Sequence, residues 1–214
     1  MADNISASQV KELRDLTGAG MMDCKRALVA SSGDLERARD WLREHGVAKA
    51  AAKEHRSTNE GVIEAYLHGV GGMPPKVGVL IEVDCESDFV AKTDDFKKLA
   101  RELALQVAGA DPAYVRPEDV PAELVERERS VFRAQAEGKP AAMVEKILEG
   151  KLAAYYEEIC LLEQRWIRDE KHKKKVKELV QEAVAKLGEN ITVARFVRYQ
   201  VGETSGGGAE AAPR

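Results

Sequence analysis

Residues 77–85 have the sequence VGVLIEVDC, which is the strongest strand signal in the chain. Apolar side chains occupy every odd position of this stretch, whereas Glu82 and Asp84 lie at even positions. Successive side chains of a strand point to opposite faces, so this alternation predicts a half-buried strand over Val77–Cys85. A second β-like run, Ile63–Val70, precedes it, and glycines and prolines lie between the two at residues 69–75. Together the two runs predict a β-hairpin.

Helical patterns follow this hairpin. A first amphipathic helix is indicated by four apolar residues at helical spacing: Phe96, Leu99, Leu103 and Val107. Further helices are expected in four ranges, residues 121–137, 140–149, 152–162 and 176–187. Alternating apolar residues predict a last strand over Ile191–Val201. The tail Gly202–Arg214 is rich in Gly, Ala and Ser, and we expect it to be disordered.

The residues before the hairpin have the pattern of three short helices. Ser6 and Gln9 match the capping box that starts a first helix, and the glycine-rich segment Thr17–Gly20 is expected to be a turn after it. Gly33-Asp34 is expected to end the second helix and to cap the third. The Ala- and Lys-rich stretch Val47–Lys53 then continues the third helix as a linker. A three-helix unit of this size buries little apolar surface and is marginal alone.

These patterns predict an α+β fold, with a small antiparallel sheet and several helices in its core. The predicted division has four parts: residues 1–46 as a small three-helix domain, 47–60 as a linker helix, 61–201 as an α+β core and dimerisation domain, and 202–214 as a disordered tail.

The composition is that of a helix-rich globular protein and argues against several other classes. Of the 214 residues, 44% are hydrophobic and 33% are charged, and the net charge is -4. The molecule as a whole therefore has no electrostatic attraction for nucleic acid or an anionic membrane. No apolar run approaches the ~20 residues of a membrane span, and we see no signal peptide, so we expect a cytoplasmic protein. Three widely separated cysteines are expected to be reduced, buried thiols.

Motifs for catalysis or metal binding are not found. The chain has no phosphate-binding loop, no nucleophile elbow and no metal-ligand spacing among its His and Cys residues, and we predict no cofactor or metal. The basic run Lys171–Lys175 fits a solvated helix start or turn better than a patch for an anionic partner.

The segment Glu86–Val90, directly after the predicted strand, has two interpretations. In the first, Ser87 or Asp88 caps a helix and Phe89 packs inward, and the pattern alone favours this interpretation. In the second, Phe89 protrudes as a wedge at a strand-to-helix turn.

Two long motifs resemble one protein family. The segments Val10–Arg14 and Thr17–Lys25 together are similar to the amino-terminal signature of translation elongation factor Ts. Val83–Ala91 resembles the second signature of that family, whose usual core is Thr-Asp-Phe-Val. Shorter similarities lie at Gly138–Pro140, Glu145–Ile147 and Leu187–Asn190, so the resemblance covers nearly the whole chain up to Gly202.

The resemblance implies a fold, a partner and two binding segments. The helices of Ser6–Gly46 would form a ubiquitin-associated-like domain. The partner would be elongation factor Tu, a GTPase, and the function would be guanine-nucleotide exchange without enzymatic chemistry, through disturbance of the magnesium and phosphate region. The family motif places the exchange segment at Ser87, Asp88, Phe89 and Val90, with Phe89 as the wedge. The candidates for amino-terminal docking are Arg14, Met21 and Met22, and we expect one methionine to face outward and the other inward.

This sequence departs from the family pattern at two motifs and in its length. Ser87 stands where Thr is usual, and Arg165-Trp166 replaces a proline–aromatic pair. Longer members carry two core subdomains, whereas this chain has room for one. The short form therefore implies a homodimer and a two-plus-two complex with the GTPase.

Three other function classes remain open. A ubiquitin- or nascent-chain-binding module would share the three-helix unit but would not account for the Asp88-Phe89 motif. A nucleic-acid binder would use the lysine run, against the net charge of -4; RNA binding that did not depend on salt would exclude this class. A hydrolase would need a triad assembled through space, which a broad substrate screen would reveal.

Overall fold

A computed structural model describes residues 5–69, 71–136, 138, 140–171 and 173–203. The elements in chain order are α1 (Ala7–Thr17), α2 (Met21–Ala30), α3 (Leu35–Ala51), β1 (Glu60–His68), β2 (Val77–Cys85), α4 (Asp88–Ala91), α5 (Asp94–Ala110), a 3-10 turn (Pro117–Asp119), α6 (Ala122–Gln135), α7 (Ala141–Ile159), α8 (Val176–Leu187) and β3 (Ile191–Gln200). The chain thus contains both helices and a small sheet, and the predicted α+β class is confirmed.

The first three helices begin and end where local chemistry predicts. Ser6 and Gln9 form the reciprocal capping box of α1, and Gly18 ends this helix in the left-handed region with φ 69°. The Asp34 side chain caps α3 by accepting the N–H groups of Glu36 and Arg37. A small core joins the three helices through six buried residues: Val10, Leu13, Cys24, Ala27, Leu28 and Ala38.

The sheet has three strands in the order β1-β2-β3. The ends of β1 and β3 both lie beside the start of β2, since Lys76 N–H donates to the His68 carbonyl and Val201 N–H donates to the Lys76 carbonyl. The strands are therefore antiparallel, and the predicted hairpin is confirmed. The alternation in β2 is also confirmed, because its core face is formed by four buried residues: Val79, Ile81, Val83 and Cys85.

The helical predictions after the hairpin hold, with one correction. All four apolar residues predicted for the first of these helices are buried on α5. The two helices predicted at 140–149 and 152–162 are wrong as separate elements, because α7 continues from Ala141 through Gly150 to Ile159. A glycine inside a helix costs only about 1 kcal/mol, which good helix formers on both sides offset.

The contacts divide the chain into two compact units, neither of them continuous in sequence. The first contains the described residues up to Val62 with Val83–Leu99 and Glu178–Thr192, and the second contains Ile63–Glu82, Ala100–Lys177 and the described residues from Val193 onward. The predicted four-part division and the ubiquitin-associated-like character of the amino-terminal helices stay predictions. Most of the predicted disordered tail, residues 204–214, lies outside the described residues.

Candidate functional site

Phe89 protrudes from a short helix directly after β2. Ser87 is the N-cap of α4, and its Oγ accepts the N–H of Val90 at 3.4 Å. Helix α4 is only four residues long, and within it Ala91 is buried whereas Phe89 is 79% exposed. Of the two interpretations of this segment, the first is correct that a helix is capped here, by Ser87, and wrong that Phe89 packs inward; the protruding Phe89 of the second interpretation is observed. The short turn has one inward position, which Ala91 occupies.

Every polar group of Ser87 has a partner. The Glu189 carboxylate accepts the Ser87 backbone N–H at 3.0 Å and the Ser87 hydroxyl at 2.5 Å. The buried Cys85 thiol donates to the Ser87 carbonyl at 3.2 Å. Burial raises the pKa of Cys85, and the negative charge of Glu189 raises this pKa further. The thiol is therefore protonated at neutral pH and keeps its role as a donor.

A second set of hydrogen bonds lies beside the first. Asn190 is 4% exposed and donates its backbone N–H to the Glu86 carboxylate at 2.6 Å. Its side-chain amide donates to the carbonyls of Glu54 and Arg56, at 3.3 and 2.8 Å. The Arg56 guanidinium also lies 3.4 Å from Glu86. The adjacent residues 189 and 190 thus hold the segment after β2 and the segment after α3.

Asp88 and Val90 complete the predicted exchange segment. Asp88 forms an ion pair with Lys92 one helical turn away, at 2.5 Å, and its side chain is 47% exposed. This hydrogen bond and the negative charge of Asp88 raise the pKa of Lys92. Exposed pairs of this spacing contribute little to stability, so the Asp88 carboxylate can exchange partners at little cost. Val90 is half-buried.

The predicted docking residues lie at the junction of α1 and α2. Arg14 is exposed in the last turn of α1, and Met21 and Met22 open α2 with 50% and 66% of their surface exposed. The prediction that one methionine faces inward is wrong, because Cys24, Ala27 and Leu28 occupy the core positions of α2. Leu16, 62% exposed, is a further apolar side chain in this segment that sequence reasoning missed.

The two predicted segments lie on different elements of the same compact unit. The turn Thr17–Gly20 separates α1 from α2, as predicted. All three cysteines are buried free thiols, also as predicted. The residues that hold Ser87 in place were not found from the sequence, since Glu189 is 102 positions away and only its motif was noted.

The basic run lies at the start of α8, within the second unit. Lys175 and Lys177 both donate to the Glu163 carboxylate at 2.9 Å, and the Lys174 ammonium lies over the Trp166 ring. This arrangement agrees with a helix start, while His172 lies outside the described residues.

No group of three or more His, Cys, Asp or Glu side chains in the described ranges is arranged to hold a metal ion. Among the helices of this part of the chain, none has the length and apolarity to cross a membrane.

Comparison with known proteins identifies the family. The family model for elongation factor Ts matches residues 42–203. The chain belongs to the elongation factor Ts family. The resemblance inferred from the two signatures is thereby confirmed, and the family places the chain among translation elongation factors.

Similar elongation factor Ts proteins have lengths close to that of this chain. The protein from Caldanaerobacter subterraneus subsp. tengcongensis is 54% identical over 201 residues, which cover 93% of this chain and 98% of the relative. The protein from Carboxydothermus hydrogenoformans is 55% identical over 93% of this chain and 90% of the relative. That from Desulfosudis oleivorans is 54% identical, with 93% and 98% covered. The short form of elongation factor Ts is therefore shared with these relatives.

Proposed function

We propose that this chain is a guanine-nucleotide exchange factor for elongation factor Tu. It binds the GDP-loaded GTPase, disturbs the magnesium and phosphate site, and promotes GDP release so that GTP can bind. The observation that carries the proposal is Phe89, an aromatic side chain 79% exposed next to a fully hydrogen-bonded Ser87, within the signature of an elongation factor Ts. An exposed, positioned aromatic residue suits insertion into a partner.

Exchange requires binding energy and no chemical step. A factor that binds the empty GTPase better than the loaded one weakens GDP binding by the same factor, through linkage. A ten-thousandfold effect needs about 5.5 kcal/mol of differential binding. Burial of one phenylalanine supplies about 1.5–3 kcal/mol, so Phe89 needs further contacts. The protein therefore acts as a binding protein and not as an enzyme, and the mechanism requires no cofactor.

The second contact in this proposal is the junction of α1 and α2. Met21 and Met22 expose flexible, polarizable side chains there, which suit an adaptable apolar docking surface. Arg14 adds a positive charge at the end of α1. A docked factor holds Phe89 at high effective concentration beside the nucleotide site, and the two contacts reinforce each other.

Asp88 would approach the magnesium ion of the partner. Its carboxylate is half exposed and its partner Lys92 is more exposed, so opening this pair loses only a weak, solvent-screened attraction. A carboxylate near the metal competes with the ligands that the GTPase supplies. The GTPase then binds the nucleotide phosphates less tightly.

We also propose a homodimer, in which a second copy covers one face of the sheet. Leu67 and Gly78 lie side by side on this face, and together with Tyr199 they line a shallow groove. Leu80, two residues after Gly78 on β2, is 49% exposed, and Leu67 and Tyr199 are 68% and 73% exposed. An exposed apolar face of this kind marks an interaction site. A dimer gives the two-plus-two complex with elongation factor Tu, formed without direct contact to nucleic acid or membrane, in the cytoplasm where elongation takes place.

The test is release of fluorescent GDP from elongation factor Tu. The loaded GTPase is chased with excess unlabelled GDP, with and without this protein. We expect the wild type to accelerate release strongly, and Phe89→Ala to lower the accelerated rate roughly ten- to a hundredfold. Met73→Ala is the matched control, because Met73 is 63% exposed on the loop between β1 and β2, outside both predicted segments.

The outcomes separate the function from the mechanism. Absence of acceleration by folded wild-type protein would exclude the proposed function. Acceleration that survives Phe89→Ala would keep the function and remove Phe89 from its mechanism.

A further inference from the structure

Phe89 has almost no packing of its own to fix its position. With 79% of its surface exposed, the side chain is placed by the backbone on both sides. On one side the backbone is fixed at Ser87, and on the other at the buried Ala91, whose N–H donates to the Ser87 carbonyl at 3.2 Å. The position of the Ala91 backbone depends on this hydrogen bond to Ser87. Ser87 is therefore the residue that fixes the orientation of Phe89.

Glu189 is the residue that fixes Ser87 from outside the segment. It comes from the turn before β3 and accepts both the backbone N–H and the hydroxyl of Ser87, at 3.0 and 2.5 Å. Two hydrogen bonds donated by two atoms of one residue to the same carboxylate restrict the rotation of that residue as well as its translation. The Cys85 thiol, by contrast, makes a weak donor contact from the adjacent strand.

We infer that Glu189 is a positioning residue for nucleotide exchange, which acts through Ser87 to hold Phe89 in its protruding orientation before the partner binds. The inference rests on the proposed exchange function. Its physical basis is preorganisation, because a segment that is already ordered loses less conformational entropy when it inserts. Ordering one additional backbone residue on insertion corresponds to roughly a tenfold loss in rate.

The first experiment compares exchange by Glu189→Ala with exchange by the wild type. We expect the maximal rate at saturating factor to fall about tenfold, while the concentration for half-maximal rate stays within about twofold, since Arg14, Met21 and Met22 remain unchanged. Glu163→Ala is the matched control. Glu163 is another half-buried carboxylate that accepts two hydrogen bonds, from Lys175 and Lys177, and it belongs to the other compact unit. This control should lose stability and keep the wild-type exchange rate.

A double-mutant cycle with Phe89→Ala distinguishes positioning from a general structural effect. If Glu189 acts through Phe89, then Glu189→Ala has little further effect in the Phe89→Ala background, and the two losses are not additive. Additive losses would show that Glu189 acts independently of Phe89 and would overturn the inference.

A second variant keeps the test decisive if Glu189→Ala does not fold. Glu189→Gln retains one acceptor oxygen and nearly the same volume. We therefore expect a rate between those of wild type and Glu189→Ala, which corresponds to a loss of about three- to fivefold. A wild-type maximal rate in folded Glu189→Gln, or in Glu189→Ala where that variant folds, beside an active wild type and an impaired Phe89→Ala, would refute the role of Glu189 and leave the exchange function standing. An inactive wild type would instead refute the exchange function, and the inference with it.

Discussion

Substitution of Ile63 tests the proposed dimer face on the sheet. Ile63 lies four positions before Leu67 on β1, so the two side chains share one face of the sheet, and 69% of the Ile63 surface is exposed. Full burial of an isoleucine is worth about 1.5–3 kcal/mol, so covering the exposed two thirds would supply about 1–2 kcal/mol. In a symmetric dimer the residue occurs on both copies. Ile63→Ala is therefore expected to weaken dimerisation by about 2–4 kcal/mol, or roughly thirty- to several-hundredfold in Kd.

The assay is light scattering and sedimentation over a dilution series from micromolar to nanomolar protein. The wild type should be dimeric at micromolar concentration, and Ile63→Ala should dissociate at much higher concentration. Met143→Ala is the matched control, because Met143 is 53% exposed on α7 and away from the sheet. Thermal unfolding at low concentration should be nearly unchanged, since the Ile63 side chain buries little within one copy.

Two results would refute this reasoning at different steps. A wild type that is monomeric at micromolar concentration would contradict the homodimer itself. A dimeric wild type whose Kd does not respond to Ile63→Ala would show that the copies associate through another surface.

Three further substitutions test local features of the fold. Gly61→Ala places a Cβ 2.3 Å from the Val83 carbonyl oxygen, so urea unfolding should show a loss of about 2–3 kcal/mol, and an unchanged midpoint would contradict this close approach. Asp34→Ala removes the cap of α3 and should lower stability by about 1 kcal/mol, whereas Asp34→Asn should not. Burial raises the pKa of Glu163, but the hydrogen bonds from Lys177 and Lys175 outweigh burial and lower it below its ordinary value of 4.5. The stabilisation from Glu163 is therefore complete above this ordinary value and is lost as the pH falls through the lower folded pKa, so unfolding measured against pH should show a shallower acid decline for Glu163→Gln.

Local chemistry explains why much of the fold was predictable from the sequence. The capping box at Ser6, the cap at Asp34 and the alternation in Val77–Cys85 depend on residues within a few positions of each other. The energies of these local features depend on neighbouring residues of one short segment, so the pattern in the sequence is enough to predict them. The ranges 140–149 and 152–162 form one helix, because the helix formers on both sides of Gly150 offset the cost of a single glycine.

The candidate site was less predictable because its geometry depends on distant residues. The pattern of Glu86–Val90 could not decide the direction of Phe89, since a four-residue helix has too few positions to define a face. The hydrogen bonds from Ser87 to Glu189 span 102 positions, and no spacing rule connects them. Exposure of both Met21 and Met22 follows from how three helices share one small core, which no single helix pattern contains.

The turn at residues 189 and 190 has a mechanical consequence. Glu189 is bonded to the start of the Phe89 segment, and Asn190 is bonded to residues 54 and 56, which follow the last amino-terminal helix. Because these two residues are neighbours in the chain, thermal displacement of the turn moves both bonded segments in the same direction. We therefore expect the fluctuations of the two segments to be correlated, so that the spacing between them varies less than the position of either one.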